Sequence, residues 1–108
     1  MLAISRFHYD DDLTDRATTE LAACLERLAE QPGYVGGAVG RALDDPTLWV
    51  LETRWENVGS YRRALSAYEI RVSVVPLLSY AVDEPSAYEV IVGAGATVPN
   101  EARSRGGR

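Results

Sequence analysis

The spacing of apolar residues between Asp10 and Gly33 constrains this chain more than any other feature. Leu13, Ala17, Leu21, Cys24 and Leu28 recur every three to four residues and so share one stripe of an α-helix. Such a stripe must be buried against something, so a helix over 10–33 demands an apolar partner surface. Asp10, Asp11 and Asp12 supply an N-cap and favourable charge at the positive end of the helix dipole. Pro32 and Gly33 stop the helix.

Strands supply the partner surface. In 47–55, Trp49, Leu51, Thr53 and Trp55 alternate onto one face, with Leu48 and Val50 on the other. In 2–9, Ser5, Phe7 and Tyr9 share one face and Leu2, Ile4, Arg6 and His8 the other. The segment 34–43 reads as a strand interrupted by Gly36, Gly37 and Gly40, which mark a bulge or a close approach. Asp44, Asp45 and Pro46 form a turn, so 34–43 and 47–55 make an antiparallel hairpin. A last strand is expected over 87–93.

Asn57 caps a helix running to about Leu65. Ser66 and Glu69 have the spacing of a capping box, which predicts a further helical piece to about Val75, with Pro76 opening another turn. Apolar residues surround this piece, so burial on more than one side is expected. The order β-α-β-β-α-β predicts an α+β, ferredoxin-like fold with a four-stranded antiparallel sheet. Its helices cover one face only. Because both strand faces carry apolar groups, the second face calls for a homodimer packed sheet on sheet.

Composition narrows the function. The 108 residues suit one domain over 1–93, followed by a small, Arg-containing loose tail over 94–108. The net charge is −5; the last eight residues contribute +2 through three arginines and Glu101, which leaves −7 on 1–100. A body this acidic does not attract nucleic acid. No apolar run is long enough to span a membrane. The N-terminal stretch lacks the basic start and small-residue cleavage site of a signal peptide, so a cytoplasmic location is expected. One cysteine excludes an internal disulfide, and one histidine excludes a Cys/His metal cluster.

Three runs carry a family resemblance: Pro32–Arg41 (PGYVGGAVGR), Trp49–Leu65 (WVLETRWENVGSYRRAL) and Pro76–Val90 (PLLSYAVDEPSAYEV). The block Trp55–Arg62 (WENVGSYR) matches a Trp–acidic–variable–aromatic–Arg pattern. With the element order, these make 2–93 resemble the antibiotic biosynthesis monooxygenase superfamily. The resemblance implies a dimeric α+β barrel. In its cofactor-independent members, which oxidise anthrone-type polyketides with molecular oxygen, it implies that Trp55 and Tyr61 line the pocket. Those members also use an Asn four residues before the Trp, where this chain has Leu51. They use an Arg about twenty residues after it, where this chain has Val75, with Arg71 one turn earlier. The haem-degrading members need a Trp and a His where this chain has Ala64 and Val74, so a haem oxygenase is not expected.

The expected site lies between the sheet and the second helix. Tyr61 would hydrogen-bond the substrate and Arg71 would stabilise an anion, as the catalytic pair. Trp55, Leu51, Trp49, Arg62 and Phe7 would bind a flat aromatic substrate. Four of them also have a plainer reading: Trp55 and Tyr61 as core aromatics, Arg62 and Arg71 as solvated charges. Cys24 reads as a buried, inert thiol and Asn57 as a cap. The leading expectation is a monooxygenase that needs no cofactor or metal. The alternative is a non-catalytic dimeric ligand-binding or stress-associated module. A third, isomerase-like reading would use His8 as its acid or base.

Overall fold

The computed structural model describes residues 1–95. The chain forms β1 (Leu2–His8), a 3-10 turn (Asp11–Leu13), α1 (Thr14–Ala29), β2 (Tyr34–Arg41) and β3 (Leu48–Trp55). Then follow α2 (Val58–Ser66), α3 (Tyr68–Ser73), α4 (Val75–Leu78) and β4 (Ala87–Tyr88). The four strands lie in the order β2-β3-β1-β4, each pair antiparallel. This is the ferredoxin-like α+β arrangement.

Register decides which residues meet the helices. Ala3 lies opposite Thr53, Ser5 opposite Leu51 and Phe7 opposite Trp49. Alternation therefore gathers Phe7, Trp49, Leu51, Thr53 and Trp55 on one side, all buried. Against them α1 lays Ala17, Leu21, Cys24 and Leu28, the stripe read from the sequence except for Leu13, which ends the 3-10 turn and is only partly buried. Ala64, Ile70 and Val74 close the core from the later helices.

The register shifts between Tyr34 and Gly36, so the first glycine of β2 adjoins a bulge. At Gly37 a Cβ would stand 2.6 Å from the Glu52 carbonyl oxygen and 2.9 Å from the Tyr34 hydroxyl. Only a bare Cα fits there, which is the close approach expected of this strand.

Several local expectations change. Regular α-helix begins at Thr14, and the Asp10 side chain makes no capping hydrogen bond. The three aspartates act through charge near a 3-10 turn instead. The Ser66–Glu69 capping box does not form: Ser66 ends α2 and its hydroxyl donates to the Arg62 carbonyl, while Ala67 stands at the N-cap of α3. The piece after it is not buried on several sides. Ile70 and Val74 face the core, but Val72 is 58% exposed and Tyr68 76%. The last strand pairs only over Ala87–Tyr88, not 87–93. Most of the tail expected over 94–108 lies outside the described residues.

The other side of the sheet presents Leu2, Ile4, Leu48 and Val50 in partial exposure. Charged pairs interrupt this surface. Arg6 donates to both carboxylate oxygens of Glu84, at 2.7 and 2.6 Å. Arg54 Nε lies 3.0 Å from Glu52 Oε2. No helix among the described residues is long and apolar enough to cross a membrane.

Candidate functional site

A cleft of about 740 Å³ opens between the end of β1, the outer flank of α1 and the α3–α4 segment. That volume lies within the range of small-molecule sites. Phe7, Cys24, Leu13 and Leu77 give it an apolar lining. Local sequence explains its walls. Strand alternation brings Phe7 and Tyr9 to the helix side together. On α1, the residues at 16, 20, 23 and 27 follow helical spacing and form a second stripe, beside the core stripe. The cleft is therefore bounded by an apolar floor and one polar helical wall.

Tyr9 and Glu20 join these two walls. The Tyr9 hydroxyl donates to Glu20 Oε1 at 3.0 Å. Arg16 Nε donates to Glu20 Oε2 at 3.1 Å, one turn away on the same helix. Burial pushes the Tyr9 phenol up to about 12, with the Glu20 hydrogen bond and charge acting in the same direction. Tyr9 therefore remains a donor at any ordinary pH. Burial also raises the Cys24 thiol above its usual value. The Tyr9 ring meets Trp49 edge-on, with centroids 6.4 Å apart and planes at 74°. Arg41 lies over the other aromatic system, 5.3 Å from the Trp49 ring centre.

The residues selected from the sequence are distributed differently. Phe7 lines the cleft. Trp55, Trp49 and Leu51 belong to the packed core. Trp55 is fully buried between Tyr34 and Tyr61, at centroid distances of 5.5 and 5.7 Å. Its indole nitrogen donates to Thr53 Oγ1 at 2.8 Å. Tyr61 packs against this cluster, and burial raises its phenol above the usual value. Arg62 and Arg71 are exposed and do not line the cleft. Arg71 follows the buried Ile70 by one residue, about 100° round the helix, which turns it away from the core. So Tyr61 and Arg71 share no wall of this cleft, which lies on the α1 side rather than between the sheet and α2. His8, considered as a base, stands exposed at the rim.

Sequence reasoning passed over Tyr9, Arg16 and Glu20. Two signals for them were present: Tyr9 shares a strand face with Phe7, and Arg16 and Glu20 stand four apart on one helix. What the sequence could not show is that β1 ends beside that turn of α1. Among the described residues there is no group of three or more His, Cys, Asp or Glu side chains placed to hold a metal ion.

A family model for antibiotic biosynthesis monooxygenases matches residues 1–72. A 42.8 kDa protein of the whiE locus of Streptomyces coelicolor is 30% identical over 82 residues, 73% of this chain. The chain spans about a fifth of that protein, 21% of its length. Among solved structures, SnoaB, a cofactor-independent oxygenase from Streptomyces nogalater, superposes with a TM-score of 0.63 at 20% identity, covering 75% of this chain and 82% of its own. A conserved protein from Methanosarcina mazei Go1 gives a TM-score of 0.63 at 15% identity, covering 80% and 84%. At these identities the two structures support the fold.

Proposed function

Since the chain belongs to the antibiotic biosynthesis monooxygenase family, we propose that it oxidises a flat aromatic, polyketide-like molecule with molecular oxygen and without a bound cofactor. The observation that carries this reading is the cleft itself. It has the volume for a fused-ring ligand, an apolar floor at Phe7 and Leu77, and one polar wall on α1. In this reading the substrate brings the chemistry. An anthrone-type carbon acid loses a proton and becomes an electron-rich anion. Oxygen then converts the ring CH₂ to a carbonyl, and the second oxygen atom leaves as water. The protein's part is to exclude water, orient the ring and favour the anion.

Oxygen uptake by the purified, metal-free protein with anthrone or hydroquinone tests the proposal. Uptake well above the no-protein rate, lowered by Phe7→Ala, supports it. Tyr61→Phe and Arg71→Ala, run beside, decide whether the residues suggested by the family resemblance take part. Absence of uptake with every substrate of this class would overturn it.

A second reading, a non-catalytic ligand-binding module, is favoured by Leu51 in place of a polar group and by the exposure of Arg71. Quenching of tryptophan fluorescence by the same ligands, without uptake, would support it. In both readings we propose that a second copy of the chain covers the open sheet face, with Leu2, Ile4, Leu48 and Val50 at the centre of the contact.

A further inference from the structure

We infer that Glu20 is the general base of the cleft, the group that takes the proton from the substrate before oxygen reacts. This rests on the cleft being the substrate site, as proposed above, and adds the identity of its proton acceptor.

The titratable groups that line the cleft differ in their ability to accept a proton. Arg16 and Arg27 are cations and cannot accept a proton. Tyr9 is held in its protonated form by burial and by Glu20. Cys24 is buried, and burial disfavours its thiolate. His8, Asp10 and Tyr80 are exposed at the rim, where bulk water competes for them. Glu20 alone among these is a partly buried carboxylate that lines the cleft.

Its setting suits the task. A carboxylate offers about four lone-pair sites. Tyr9 occupies one on Oε1 and Arg16 one on Oε2, at 3.0 and 3.1 Å. Each oxygen keeps a lone pair for the substrate. The two donors come from different parts of the chain, the residue that follows β1 and the first turn of α1, so they hold the carboxylate in one orientation. In the step itself, the substrate C–H bond breaks and the proton moves to a Glu20 oxygen. The electron pair stays on the substrate, spread over the ring and its carbonyl. Tyr9 and Arg16 are positioning residues: they touch Glu20 and not the reacting carbon.

Hydrogen exchange reads this step apart from oxygen chemistry. Anthrone is incubated in D₂O without oxygen, and loss of its ring CH₂ signal is followed by NMR. The wild-type protein is expected to accelerate exchange. Glu20→Gln should reduce the acceleration by about 100-fold or more, and Glu20→Asp should retain part of it. Tyr9→Phe should lower kcat for exchange with KM unchanged, because the ring stays and only the orienting hydroxyl is lost. Unchanged thermal melting of the Gln variant confirms that its fold is intact. Exchange that Glu20→Gln leaves at the wild-type rate overturns the inference, and so does a wild-type protein that accelerates no exchange. Glu20-dependent exchange without oxygen uptake would sustain the inference and overturn the monooxygenase reading.

Discussion

The indole N–H of Trp55 donates to the hydroxyl of Thr53 at 2.8 Å, and both residues are buried. They stand two apart on β3, so alternation sends both into the core. Thr53 is thus a polar residue inside because Trp55 needs an acceptor there. Thr53→Val removes the acceptor and leaves a buried donor unpaired, at a cost of about 1–3 kcal/mol. Thr53→Ser keeps the oxygen and should cost less. Trp55→Ala empties the centre of the core and should cost about 3–5 kcal/mol. Denaturant unfolding should show the smallest loss for Thr53→Ser, a larger one for Thr53→Val and the largest for Trp55→Ala; a Val variant as stable as wild type would contradict the role given to this bond.

Gly37→Ala should destabilise by about 1–3 kcal/mol, since the added methyl meets a backbone carbonyl that cannot move without distorting β3. Gly40→Ala is the matched control. Its methyl meets only the Val50 side chain, at 3.2 Å. Both changes restrict the unfolded chain alike, so that contribution cancels in the comparison. Equal melting temperatures would refute the close-packing account.

The Arg6–Glu84 pair links folding to pH. The hydrogen bond from Arg6, with its charge, lowers the Glu84 carboxyl below its ordinary value of 4.5, against a smaller opposing effect of burial. A carboxyl lowered in the folded state adds stability above its unfolded value, and that stability fades as pH falls through the folded value. Wild type should therefore exceed Glu84→Gln in melting temperature near neutral pH. The gap should close as the solution is acidified below 4.5. Since both side chains are partly exposed, the gap is small and should shrink in high salt. A gap that widens on acidification would reverse the assigned sign.

Cys24 offers a chemical probe of the cleft. The residue is 4% exposed and burial raises its thiol above the usual value, so little reactive thiolate is present near neutral pH. Alkylation by iodoacetamide should be slow, should accelerate with rising pH, and should slow further when anthrone is present. Rapid labelling that anthrone leaves unchanged would mean that the cleft is not where the ligand goes.

Light scattering tests the second sheet face. A mass of twice 11.8 kDa is expected at micromolar concentration. Ile4→Glu, which places a charge at the centre of the proposed contact, should return the monomer mass with the fold intact. A wild-type mass near 11.8 kDa would leave the open face without the partner proposed for it.

Element order, the α1 stripe and the inward face of β3 were legible in the sequence because each follows from a local period. Leu21 and Leu28 on a helix, or Leu51 and Trp55 on a strand, must point the same way whatever surrounds them. Local signals were weaker where two elements compete for one residue. Ser66 has the spacing of a capping box, yet its hydroxyl serves the helix it ends rather than the one that follows. The segment after it was expected to be buried on more than one side, yet Val72 and Tyr68 are exposed, since composition does not say how much neighbouring surface is available to cover it.

The candidate site shows the same division. The sequence by itself determined that Phe7 and Tyr9 share a strand face and that Arg16 and Glu20 share a helix face, because each pair obeys a backbone repeat. It also determined a core rich enough in apolar residues to bury Trp55. Only the tertiary structure decided that the end of β1 meets the middle of α1, putting the Tyr9 hydroxyl 3.0 Å from Glu20 while Arg71 faces outward. That meeting depends on strand register and on where α1 crosses the sheet. Many packing contacts set both together, and no single repeat in the sequence encodes either.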